Sequence, residues 1–293
     1  MSAILAEKSA LKKWNQSTIS TQTHNAPDYL ERLHPHPRDS HISFDEGPHI
    51  YTIDGESNYT SVTTWNHSHF PHFNSDAIIK KMMLSPKWPQ NKYFGKTATE
   101  IKALWKKNGE EASKAGTKMH YDIECFYNNL NVVNNSTEYR YFLNFQQDND
   151  NLIPYRTEWM VWDSELRLAG SIDMVFKEEN SDELMIFDWK RCKEIKKTNP
   201  WETAKTKCIN YMPNTNFWHY SLQLNTYKAI LEKNYGKFVN DMYLVCLHPD
   251  NKNQSYQLYR VPNLQDQIQE LFELRRSRMA GTKSGEDSEE NSE

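Results

Sequence analysis

The chain has 293 residues, 37% hydrophobic and 13% aromatic, which suits one large domain or two small ones with a sizeable core. Its formal charge of −4 arises at the end: the last ten residues, SGEDSEENSE, hold five acids and no base, leaving 35 basic and 34 acidic side chains before them. A near-neutral body excludes a uniformly basic surface, so any nucleic-acid interface is a local patch. Cys125, Cys192, Cys208 and Cys246 show no CxxC spacing, which argues against a zinc finger, an iron–sulfur cluster or a disulfide framework. With no transmembrane-length apolar run and no signal-peptide core, the expectation is a reduced, intracellular, soluble protein of cytoplasm or nucleus without a membrane partner.

Residues 1–40 mix Ser, Thr, Asn, His and Pro, with little periodicity beyond a helix over Ala3–Trp14, and read as a flexible N-terminal arm. HISFDEGPHIYTIDG, from His41, reads as a hairpin, and Tyr59–Thr64 follows it. His67, His69 and His72 in WNHSHFPHF fit either a metal site or a loop of surface histidines. Residues 75–120 turn helical around the breaker SPKWPQNKYFG and carry ten lysines against four acids, interleaved with Trp88, Tyr93, Phe94 and Trp105. Charge for phosphates and rings for bases is the equipment of a single-strand channel; the same pattern also describes a solvated helical face. Gly116-Thr117-Lys118-Met119-His120 then opens into YDIECFYNNL, the glycine allowing close backbone approach and His120 on a helix with Glu124 one turn later.

A strand over Arg156–Asp163 carries Glu158. The stretch LRLAGSIDMVFKEENSDELMIFDWKR reads as two strands joined by a polar turn, ending near Phe176 and spanning Glu183–Lys190. The run Leu184–Phe187 indicates burial on both faces. Yet Asp188 follows it and Asp173 sits among apolar neighbours on the paired strand, and a buried carboxylate costs several kcal/mol unless paired or metal-bound. Two converging carboxylates with Lys190 on the same strand face as Asp188 suggest a divalent-metal site, with the Trp189 carbonyl as a further oxygen ligand. The loop from Lys190 to Lys207, including Lys205 and Lys207, is basic. SLQLNTYKAILEKNYG reads as a helix stopped by Gly236, with Gln223 and Tyr227 on one face. A buried strand MYLVCLHP, the segment SYQLYRVP and a final helix around Leu264, Ile268, Leu271 and Phe272 complete the chain before an acidic, disordered tail over residues 281–293.

In order, GTKMH, GSID, FDWK and QLNTY resemble the motifs of the PD-(D/E)XK nuclease superfamily, in its RecB-like exonuclease branch, with a layout closest to the mitochondrial genome-maintenance exonucleases. The resemblance covers roughly residues 59–250 and includes the upstream Ser61-Val62-Thr63. It implies an α/β PD-(D/E)XK core over residues 41–280, with a central mixed sheet flanked by helices. It further implies His120, Asp173, Asp188 and the Trp189 carbonyl as metal ligands, with Asp173, Asp188 and Lys190 catalytic. It adds Glu158 as a further acid, linked to the metal or standing behind its ligands, and Gln223, Tyr227, Ser61 and Thr63 as substrate contacts; the charge of the loop adds Lys205 and Lys207 as phosphate contacts. The implied activity is Mg²⁺- or Mn²⁺-dependent hydrolysis of DNA with free ends or single strands, in replication, recombination or repair. The cysteines of iron–sulfur relatives are absent, and without a GxxxxGK[ST] motif any unwinding falls to a helicase or another replication or recombination partner. A catalytically inactive nucleic-acid binder and a small-phosphodiester hydrolase are the alternatives.

Overall fold

The computed structural model describes residues 26–178 and 181–289. The helix expected over Ala3–Trp14 and the last four residues of the acidic end lie outside the described residues. In chain order the elements are α1 (Tyr29–Leu33), a hairpin of β1 (Ile42–Asp45) and β2 (Ile50–Ile53), β3 (Thr60–Ser61), α2 (Val62–His67), α3 (Ser75–Met83) and α4 (Ala98–Tyr127). They continue with α5 (Thr137–Asp148), β4 (Ile153–Asp163), β5 (Leu168–Lys177), β6 (Leu184–Lys190), α6 (Asn216–Asn234), β7 (Val239–Cys246), β8 (Gln257–Arg260) and α7 (Gln265–Glu289). The architecture is α/β: a six-stranded mixed sheet between helical layers. β4, β5 and β6 form an antiparallel meander that contains the expected hairpin. β7 runs parallel to β6 and β8 antiparallel to β7, while β3 pairs in parallel with the first residues of β5.

Burial on both faces explains the unbroken apolar run of β6. Leu184 and Ile186 join one core with Leu222, Leu224 and Ile230 of α6 and Ile268 and Leu271 of α7. Met185, Phe187 and Trp189 join the other, with Ile123 and Tyr127 of α4 and Phe142 and Phe145 of α5. The period-2 alternation thus feeds two cores rather than one core and solvent.

α4 is one continuous 30-residue helix opened by a Thr97–Glu100 capping box. Met119, Ile123 and Tyr127, four residues apart, are its buried stripe. His120 therefore lies inside a helix, and a Cβ on Gly116 would meet nothing within 4 Å, so that glycine serves no close approach. α6 begins five residues earlier than its pattern suggested and ends as expected at Gly236, whose φ of +60° suits glycine while the Lys237 N–H donates to the Leu231 carbonyl.

The arm expected through residue 40 differs from the structure in its second half. Arg156 is buried and donates to Asp39 Oδ2 at 2.7 Å and to the His34 carbonyl at 2.9 Å, while Trp159 Nε1 donates to Asp39 Oδ1. A buried guanidinium needs such partners, and it anchors residues 34–39 to β4. At the other end α7 continues its helical backbone through Glu289, across most of the stretch expected as a disordered tail from residue 281. No helix among the described residues is long and apolar enough to cross a membrane.

Candidate metal centre

The site forms where β5 and β6 part. Their ladder ends at Met174↔Phe187; one step further the Trp189 N–H donates to Asp173 Oδ2 at 2.9 Å instead of to a backbone carbonyl. Beyond that fork β6 stays paired with β7 through Lys190↔Cys246, so Asp188 and Lys190 remain on a rigid strand. The β5 alternation slips at the same point: Ile172 and Val175 face one core, Met174 and Phe176 the other. Opposite Asp173, between the pairs Thr157↔Met174 and Trp159↔Ile172, Glu158 adopts a φ of +41°. A left-handed non-glycine residue inside a strand is strained, and here the strain turns a carboxylate toward Asp173.

Four groups converge on this fork. His120 Nε2 lies 2.9 Å from the Trp189 carbonyl, and its Nδ1 lies 3.5 Å from Asp173 Oδ2 and 3.8 Å from Glu158 Oε1. Ser171 Oγ donates to Glu158 Oε2 at 2.8 Å, holding the second acid in place. His120, Glu158 and Asp173 can each offer a ligand atom within 4.8 Å of the others, which makes them a group able to hold a metal ion. Asp188 stands beside this group, 2% exposed, with Lys190 Nζ 2.5 Å from its Oδ2. That approach is an ion pair with an angle outside hydrogen-bond geometry, so the buried oxygen has a counter-charge but no directed donor.

Burial, reinforced by Asp173, lifts Asp188 to about 6 despite the adjacent ammonium. Burial raises Asp173 as well, against the pull of His120 and Lys190. For His120 burial acts downward, yet the facing Asp173 and Glu158 carboxylates outweigh it and raise the imidazole to about 9. Desolvation likewise opposes charge on Lys190, and Asp188 and Asp173 together hold it above its ordinary value. A site with buried acids pushed toward protonation, a histidine pushed toward charge and an underserved carboxylate oxygen lacks positive charge. A divalent cation would supply it, and His120, Glu158 and Asp173 can offer ligand atoms to one, with Asp188 alongside them.

The other expected residues divide. Tyr227 is buried against β5, where a Cβ on Gly170 would come within 2.8 Å of its ring and hydroxyl, and Gln223 Nε2 lies 3.4 Å from that hydroxyl. Ser61 caps α2 by accepting from the Thr64 N–H, and Thr63 is exposed in its first turn, beside the start of β5. Lys205 and Lys207 are exposed, but Lys205 pairs its backbone with the His69 carbonyl, and among the described residues no hydrogen bond or ion pair joins either lysine to the acids. The loop histidines separate. His69 is buried with Nδ1 on Thr206 Oγ1, whereas His67 packs its ring 5.3 Å from His219.

Three further residues stand at the site, of which the sequence had pointed only to Glu124, one turn after His120. Tyr51 of β2 is buried near Glu158 and Asp173, and burial raises its hydroxyl to about 12. Glu124 is raised to about 7 by burial and by Glu158. Tyr220 of α6 faces Lys190, and its place one turn before Gln223 was the available clue. No family model matches the chain, and no curated protein matches it.

Proposed function

We propose that the chain is a metal-dependent nuclease that hydrolyses phosphodiester bonds of DNA, as an exonuclease working on free ends or single strands. What supports the reading is the convergence of Asp173, Asp188, Lys190 and His120, from three elements, on one strand fork. Their order along the chain and the elements that carry them match the motif layout of PD-(D/E)XK nucleases. Asp173, Asp188, Glu158, His120 and the Trp189 carbonyl would hold Mg²⁺ or Mn²⁺, which supplies Lewis-acid polarisation of the scissile phosphate and a bound water of lowered pKa. Lys190 presents a fixed positive charge where the pentavalent phosphate gathers negative charge. His120, bonded at Nε2 to the Trp189 carbonyl, locks α4 to the strand end and orients that carbonyl. Trp189 itself, 1% exposed and packed among Tyr127, Phe142 and Phe145, fixes the backbone between the two catalytic side chains. The basic surface of α3 and α4 and the exposed rings of Phe73 and Phe94 suit a nucleic-acid strand approaching the fork.

The test is digestion of end-labelled single- and double-stranded DNA, linear and circular, with Mg²⁺, with Mn²⁺ and with EDTA. Metal-dependent loss of linear DNA with circles spared supports an exonuclease. Cleavage of a chromogenic diester with no action on DNA moves the site to small phosphodiesters, and DNA binding without cleavage removes the catalytic reading.

A further inference from the structure

Lys190 is held by more than its carboxylate. Its Nζ lies 4.4 Å from the centroid of the Tyr220 ring, and only 16% of its side chain is exposed. Tyr220 projects from α6, three residues before Gln223 and seven before Tyr227, so the helix that closes Tyr227 onto Gly170 also sets this ring. Asp188 is asked to do two things at once. It is the ion-pair partner of Lys190 at 2.5 Å, and in the proposed function it is also one of the carboxylates that hold the divalent cation. A carboxylate engaged by a dication gives less of its charge to a neighbouring ammonium, and the dication itself repels that ammonium. An aromatic face has no such conflict: its quadrupole attracts a cation and offers nothing to a hard, oxygen-seeking metal.

We propose that Tyr220 is a positioning residue for Lys190, its ring face holding the ammonium at the strand fork independently of Asp188. The proposal rests on the reading of Lys190 as the lysine of a phosphodiester-cleaving centre. The ring, not the hydroxyl, carries the function: Nζ sits over the ring face, and among the described residues no hydrogen bond joins the hydroxyl to it.

Two measurements test it. In protein labelled with ¹³C-lysine, the Lys190 ε-methylene, assigned by its loss in Lys190→Arg, should resonate upfield from the Tyr220 ring current. The shift should persist in Tyr220→Phe and vanish in Tyr220→Leu; this is read on metal-free protein and needs no activity. For cleavage, Tyr220→Phe should keep most of the wild-type kcat and Tyr220→Leu should lose about tenfold or more with KM little changed. Replacing residue 220 by phenylalanines of increasing ring fluorination should lower log kcat in regular steps, since fluorine drains the ring face while leaving its shape almost intact. A random-coil ε-methylene shift in the wild type overturns the proposal, and so does a fluorinated series with constant kcat. An intact upfield shift in a protein that cleaves no DNA overturns the nuclease reading instead and leaves the Tyr220–Lys190 contact standing.

Discussion

Gly170→Ala probes how tightly α6 closes on the strand that carries Asp173. The new Cβ would lie 2.8 Å from both Tyr227 Cε1 and Oη and 3.2 Å from Cζ. Carbon atoms in contact prefer about 3.5–4.0 Å, so the ring must retreat by close to an ångström or β5 must yield. Neither has room: Tyr227 is 3% exposed, and its helix neighbours Leu224 and Ile230 are fully buried. Overpacking of this kind costs about 1–3 kcal/mol, and the smaller entropy of the unfolded alanine chain returns about 0.4–1 kcal/mol. A net loss of about 1–2 kcal/mol follows, equivalent to a Tm lower by roughly 2–3 °C in a chain of this size. Urea unfolding of wild type, Gly170→Ala, Tyr227→Leu and the double variant measures it. Tyr227→Leu removes the ring, so the alanine should cost little in that background, and the cycle should show a coupling of about 1–2 kcal/mol. A Gly170→Ala protein as stable as wild type, with additive single effects, would refute the close packing of Tyr227 on β5.

Asp39→Ala should lower stability by about 3 kcal/mol, because it strips the buried Arg156 of its carboxylate; urea unfolding that finds no loss would detach residues 34–39 from the fold. His69 is held down to about 4 by burial and then by Arg278, Lys205 and Arg275, so the unfolded chain binds the extra proton first. Stability is therefore intact above about pH 6.5 and falls by up to about 3 kcal/mol as pH drops towards 4, a slope that His69→Gln should remove. Asp173→Asn should weaken calorimetric Mn²⁺ binding and cleavage together, whereas Lys190→Ala should retain the metal and lose about two orders of magnitude in rate. Replacing Lys205 and Lys207 by alanine should reduce the salt slope of DNA binding by about one unit for each lost phosphate contact, and an unchanged slope takes that loop off the DNA path.

The central hairpin was legible because two local signals agreed there. The apolar run Leu184–Phe187 marked a doubly buried strand, and the polar residues 177–183 marked its turn. Asp173 and Asp188 could be paired by that hairpin alone. The fork itself was not legible, since the parting of β5 from β6 depends on Trp189 turning its N–H to a side chain sixteen residues away. Glu158 was visible as an acid on a strand, but its left-handed backbone, which brings it beside His120, leaves no mark in composition. The anchoring of residues 34–39 rests on Arg156, more than a hundred residues downstream, so periodicity there was silent. Nothing in the sequence gave Tyr220 or Tyr51 a role, because only the third dimension sets one over Lys190 and the other beside Glu158. Gly116 misled in the opposite sense: its place in a motif suggested close approach, and the helix leaves open space around it.

Digestion of end-labelled single-stranded DNA by wild type and Lys190→Ala, each with Mn²⁺ and with EDTA, tests the nuclease reading most directly. Wild type should release labelled product only with the metal, and Lys190→Ala should bind the same DNA yet cleave it about a hundredfold more slowly or worse. Wild-type protein that binds Mn²⁺ and DNA but releases no product, or a Lys190→Ala protein that cleaves at the wild-type rate, would contradict it.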